Sequence, residues 1–208
     1  MICASRNALM QRVSDVLKSG YTHVVQMQVD LGKAQAVIEK LQGRFPMLGK
    51  TRTVASKAKA KGMPRHKAVA FWNASAGHAM VYLFTDRPEI QDREKWEPVE
   101  GGKGHRVTFY EYEAIRHDRG GRLAWTWQME KARLQKLEES LVAAIRSSDA
   151  DAIATFIAET RTWPGFNRVR EQHKALGELL KAQWKRSARK EPLPVWPRLY
   201  YLQRIKTR

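Results

Sequence analysis

Residues 68–85 read Ala-Val-Ala-Phe-Trp-Asn-Ala-Ser-Ala-Gly-His-Ala-Met-Val-Tyr-Leu-Phe-Thr, and the two apolar runs in this stretch decide the fold. Ala68 to Asn73 and His78 to Thr85 are rich in aromatic and β-branched residues, and Ala74-Ser75-Ala76-Gly77 between them is of hairpin length. Strand alternation puts Val69, Phe71, Val81 and Leu83 on one side and Ala70, Trp72, Tyr82 and Phe84 on the other. A strand that is apolar on both sides must be covered on both, so these read as central strands.

Upstream, Leu9, Val13, Val16 and Leu17 recur at helical spacing from Ser5 to Lys18, and Ser19-Gly20 stops the pattern. From Tyr21 to Asp30 the period becomes two, with Tyr21, His23, Val25, Met27 and Val29 alternating with more polar neighbours. Asp30 then suits a cap for a helix whose stripe is Ala34, Val37, Ile38 and Leu41. Residues 44–67 lose all periodicity and carry eight Lys or Arg with no acidic residue. This reads as a long basic loop, with a short helix near Thr53 to Lys61 only on binding.

Downstream, a polar Pro- and Gly-containing stretch from Asp86 to Gly104 leads to two further strands, His105 to Ile115 and Arg122 to Met129. His117-Asp118-Arg119-Gly120-Gly121 between them is the clearest hairpin signal in the chain. Leu123, Trp125, Trp127 and Met129 fall on one side of the second strand, toward the core. From Glu130 the pattern turns helical: Leu134 to Ile145, then a segment capped by Asp149 or Asp151, then Phe166 to Trp184. Pro192, Pro194 and Pro197 force an extended tail. Strands followed by helices predict an α+β fold: one antiparallel sheet of about five strands with helices on one side, then about three helices as a C-terminal subdomain. The expected division is 1–130 and 131–208.

The 208 residues carry 38 Lys+Arg against 21 Asp+Glu, a net charge of +17, with 43% apolar residues and seven Trp. Such a chain builds a core and still attracts polyanions. The single cysteine, Cys3, has no partner for an internal disulfide or a cysteine zinc site, which points to a reducing compartment. No apolar run approaches about 18 residues and no leader pattern opens the chain, so the expectation is a cytoplasmic protein that neither spans nor docks on a membrane. The Arg/Ala/Trp-rich composition fits a bacterial, plasmid or phage origin.

Catalytic motifs are incomplete. Gly43 to Thr51 mimics a phosphate-binding loop, yet five residues separate its glycines, one of them Pro46, and a helix precedes it. The six histidines show no His-x-His pair and no Glu-x-x-His pair. His78 or His105 with Asp86 and Glu111 is a metal set of the kind that strand ends can assemble, and its chemistry would be that of a metal-dependent nuclease, nicking enzyme or nucleotidyl transferase. Tyr110 and Tyr112 share a strand side and suit packing or stacking rather than attack. No cofactor motif is found, and the chain reads as a binding protein rather than an enzyme.

The basic constellations carry more. One comprises Lys50, Arg52, Lys57, Lys59, Lys61, Arg65 and Lys67. The other comprises Arg170, Lys174, Lys181 and Lys185 on one side of the last helix, followed by Arg186, Arg189 and Lys190. Residues 161–208 hold thirteen Lys or Arg against three acids, so over half of the excess charge lies in under a quarter of the chain. Trp184, Trp196, Tyr200 and Tyr201 interleave with these cations, either to stack bases or to pin the tail to the core. Nucleic acid bound by about six to eight backbone phosphates, DNA ahead of RNA, is the expected partner. An acidic protein is the alternative.

Overall fold

The computed structural model describes residues 1–205 except 46, 47, 49, 90–92, 101–105, 119, 188 and 189, and only the backbone of Arg52 and Lys59. The chain is α+β and divides into two compact units, Met1–Val107 with Ile205–Arg208, and Thr108–Arg204.

The first unit runs β1 (Ile2–Cys3), α1 (Arg6–Lys18), β2 (His23–Asp30), a 3₁₀ turn, α2 (Ala34–Arg44), α3 (Arg52–Ala60), β3 (His66–Asn73), a second 3₁₀ turn (Ala74–Ala76), β4 (His78–Thr85) and β5 (Glu97–Pro98). Helix α1 starts where the Ser5 hydroxyl accepts from the Ala8 amide at 3.2 Å, and β2 ends where Asp30 accepts from the Gly32 amide at 2.9 Å. The strands form a five-stranded sheet in the order β1-β3-β4-β2-β5, antiparallel except for the β1–β3 pair. Strand β4 is hydrogen-bonded along both edges, which explains why Val81, Tyr82, Leu83 and Phe84 are all fully buried.

The β3–β4 register pairs Ala70 with Val81 and Val69 with Tyr82. The side grouping expected from alternation alone is therefore corrected: Ala70 and Trp72 lie with Val81 and Leu83, and Val69 with Tyr82 and Phe84. The turn length sets this parity, and strand alternation by itself carries no information about it. Val25, Met27 and Val29 of β2 join the Ala70–Val81 side, where Val37, Ile38 and Leu41 of α2 pack together with Phe45 and Leu48. Helix α1 lies along β3 and buries Leu9, Met10 and Val13 completely. Val69, Tyr82 and Phe84 on the opposite side of the sheet are buried too. This sheet is thus covered on both sides rather than on one, as strands apolar on both sides require. Cys3 is buried in β1, and burial raises its thiol pKa.

The second unit contains β6 (Thr108–Phe109), β7 (Tyr112–Asp118), β8 (Leu123–Met129), α4 (Lys131–Arg146), α5 (Ala150–Thr160) and α6 (Asn167–Arg186). Its three strands pair as a separate antiparallel sheet, β6-β7-β8, so the second hairpin does not extend the first sheet. Asp118 closes that hairpin by accepting from the Gly121 amide at 2.7 Å. Trp127 and Met129 are buried, but Leu123, at the hairpin tip, is 60% exposed. Helix α6 packs on β8, and the buried Gln172 amide both accepts from the Met129 N–H (2.8 Å) and donates to the Met129 carbonyl (3.1 Å). That side chain satisfies backbone groups that would otherwise be stranded in the core. Leu137, Leu141 and Ile145 of α4, Ile153 and Phe156 of α5, and Val169, Leu176 and Leu180 of α6 supply the buried helical positions. No described helix is long and apolar enough to cross a membrane.

Candidate nucleic-acid interface

The basic segment of the first unit holds a helix, α3. Thr51 accepts from the Val54 amide at 3.4 Å, alanines fill the helix, and Lys57 and Lys61 sit at its C-terminal end, where cations complement the dipole. Ala58 is buried and anchors it. Lys50, Lys57 and Lys61 are exposed and make no ion pair among the described residues; the side chains of Arg52 and Lys59 lie outside the described residues. Lys57 and Lys61 are one helical turn apart, so they project from one side.

Arg65 differs from these lysines. Its backbone N–H and Nε both donate to Asp86, at 2.8 and 2.6 Å, Nη2 donates to the Ser19 carbonyl, and the guanidinium lies 4.7 Å from the Tyr21 ring. Both partners of the pair are about six-sevenths buried, so Arg65 ties β3, β4 and the end of α1 together. Burial raises the Tyr21 phenol pKa, and the Arg65 charge opposes the rise. Lys67 is half-buried on β3. The neighbouring Met1 ammonium donates to the Ala68 carbonyl at 3.1 Å, and burial, then Lys67, lowers its pKa.

In the second unit, 100° per residue along α6 places Arg170, Lys174, Lys181 and Lys185 in one narrow arc. Lys174, Lys181 and Lys185 are exposed. Lys181 meets Glu178 at 3.1 Å in an exposed pair, which is worth little. Arg170 is half-buried: Nε donates to the Leu199 carbonyl at 3.0 Å and the guanidinium sits 3.5 Å from the centre of the Tyr201 ring. Arg186 and Lys190 are exposed. Arg189 lies outside the described residues.

The tail runs back along α6 as a strap. Trp184 Nε1 donates to the Glu191 carbonyl at 3.1 Å, Trp196 Nε1 to His173 Nδ1 at 3.3 Å, and the Leu202 amide to the Gly165 carbonyl at 3.2 Å. The strap's fit depends on two glycines. A Cβ on Gly177 would stand 2.7 Å from the Trp196 indole, and one on Gly165 would stand 1.9 Å from the Tyr200 carbonyl oxygen. His173 is buried between Trp163 and Trp196, and burial, then the Arg170 charge, pushes its pKa down to about 4. Its ring is therefore neutral and accepts the Trp196 proton. Trp184 and Trp196 thus pin the tail, whereas Tyr200 stays 71% exposed with Arg198 5.4 Å from its ring.

Of the candidate metal residues, His78 and Asp86 do not come together. Asp86 is committed to Arg65. His78 begins β4 and Asp86 follows its far end, about 26 Å away at strand rise. Glu111 sits in the β6–β7 turn of the other unit, and His105 lies outside the described residues. No group of three or more His, Cys, Asp or Glu is placed to hold a metal among the described residues. Glu113 is buried and accepts from Gln128 at 2.6 Å. Tyr110 and Tyr112 do not share a strand side, because Tyr110 occupies the turn at φ +51° while Tyr112 is buried in β7. Gly177 is an isolated glycine inside a strong helical pattern, itself a packing signal, whereas Gly165 belongs to the Trp163-Pro164-Gly165 break ahead of α6 and carries no such signal.

No family model matches the chain, and neither does any curated protein or solved structure.

Proposed function

We propose that the protein binds nucleic acid through backbone phosphates, DNA in preference to RNA, using the exposed lysines of α6 with Arg186, Arg189 and Lys190, and those of the α3 segment. The observation that carries this reading is the row of Lys174, Lys181 and Lys185 on one side of α6, exposed and without a buried counter-charge. Mobile ammonium groups spaced along a helix neutralise successive phosphates and release counterions, which gives affinity without base readout. Arg65 and Arg170 support the fold beneath these surfaces, since their guanidinium groups are already engaged. The nuclease reading draws no support from Asp86, whose carboxylate is taken up by Arg65.

The test is a competition gel shift with duplex DNA, single-stranded DNA and structured RNA at two salt concentrations. If about five cations of the second unit meet phosphate, the slope of log K against log salt is about −4 to −5, and affinity falls on the order of 10²- to 10³-fold between about 50 and 200 mM salt. Affinity that is indifferent to salt, or retention only on acidic proteins, overturns the reading.

A further inference from the structure

Along its outer side α5 places Ala150, Ala154 and Ala158 one turn apart, and these small residues leave an open groove of about 300 Å³ against Trp184 and Pro194. Ile153 and Ile157 complete its apolar floor, and Arg161 is the only charged residue among the described residues that lines it. The Trp184 indole forms a wall held in place by its hydrogen bond to the Glu191 carbonyl. Arg161 is exposed and makes no ion pair among the described residues. Lys185 and Arg186, which follow Trp184 in the chain, are exposed cations as well.

We propose that this groove seats one unpaired nucleobase of a single strand, with its flanking phosphates on Arg161 and Lys185. The inference rests on the nucleic-acid reading above and adds a strand preference to it. An apolar slot walled by an indole takes a flat aromatic face, and stacking on such a wall tolerates any base. Arg161 on the groove, with the exposed Lys185 and Arg186 that follow Trp184 in the chain, suits a ligand that carries phosphates beside its flat face. A duplex keeps its base faces stacked inside and cannot fill the groove without flipping a nucleotide out.

The full chain is titrated with fluorescein-labelled oligo(dT) and with a duplex of the same length, in the wild type and in Ala154→Leu. Position 154 is exposed and leucine is a good helix former, so the variant keeps the fold while its side chain fills the groove. Affinity for oligo(dT) should drop about tenfold, as for one lost stacked base, with duplex affinity and salt slope unchanged. Unchanged oligo(dT) binding by Ala154→Leu, or an equal loss for both polymers, overturns the groove and leaves phosphate binding standing. Wild-type protein that binds neither polymer removes the underlying reading instead. A second measurement does not depend on the variant: oligo(dT) carrying one 5-iodouracil, irradiated on wild-type protein, should crosslink to the peptide containing Trp184. Crosslinks confined to other peptides overturn the assignment.

Discussion

Replacing Gly177 with alanine sets two opposing effects against each other, and the structure says which one wins. In a helix interior the change ordinarily adds about 1 kcal/mol of stability, because glycine has more backbone entropy to lose. Here the new methyl carbon meets the Trp196 Cδ1 and Nε1 at 2.7 Å. The indole must move, and Trp196 also packs on His173, with ring centroids 4.9 Å apart, and on Phe156 at 6.3 Å. Overpacking of this kind costs about 1–3 kcal/mol. Withdrawing the Trp196 donor from His173 removes about 1 kcal/mol more. The balance is a net loss of about 2 kcal/mol, measured as a lower urea midpoint at unchanged slope. Gly43→Ala is the internal control: that glycine lies in the last turn of α2, and nothing stands within 4 Å of its added methyl, so a gain of about 0.5 kcal/mol is expected. A Gly177→Ala protein as stable as the wild type, or more so, would show that the strap does not lie where it is placed.

The remaining expectations concern charge. The His173 pKa is depressed to about 4, so the unfolded chain takes up a proton near pH 6.5 that the folded chain refuses. Stability that is complete above pH 6.5 should therefore decline by about 2–3 kcal/mol as pH falls to about 4, and His173→Leu should flatten that stretch of a urea-midpoint profile against pH. Asp86→Ala leaves the largely buried Arg65 guanidinium without its main partner and should cost about 2–3 kcal/mol in denaturant melts; a loss below about 0.5 kcal/mol would return Arg65 to the solvent-facing cations. Lys174→Ala, Lys181→Ala and Lys185→Ala should each make the salt slope of DNA binding shallower by about one without changing the thermal midpoint, whereas Arg170→Ala should lower that midpoint through loss of the Leu199 and Tyr201 contacts.

Local chemistry made several elements readable directly from the chain. Ser5 and Asp149 carry side-chain acceptors suited to helix N-termini, period-two alternation marks β2, a continuous apolar run marks β4, and Asp118 with Gly121 closes a hairpin, because each of these signals acts within a few residues. The two basic clusters were likewise visible as composition. Tertiary structure alone decided which strands share a sheet, since pairing partners lie far apart in the chain and the parity of β3 against β4 depends on the turn between them. It also sorted the cations. Lys57 and Arg65 look equivalent in sequence, but Asp86, twenty-one residues on from Arg65, draws that guanidinium inward and leaves Lys57 in solvent. Arg170 and Lys174 differ in the same way, because the tail returns across one and not the other. A charge is available to a partner only where folding has supplied it no counterpart, and that depends on residues distant in the chain.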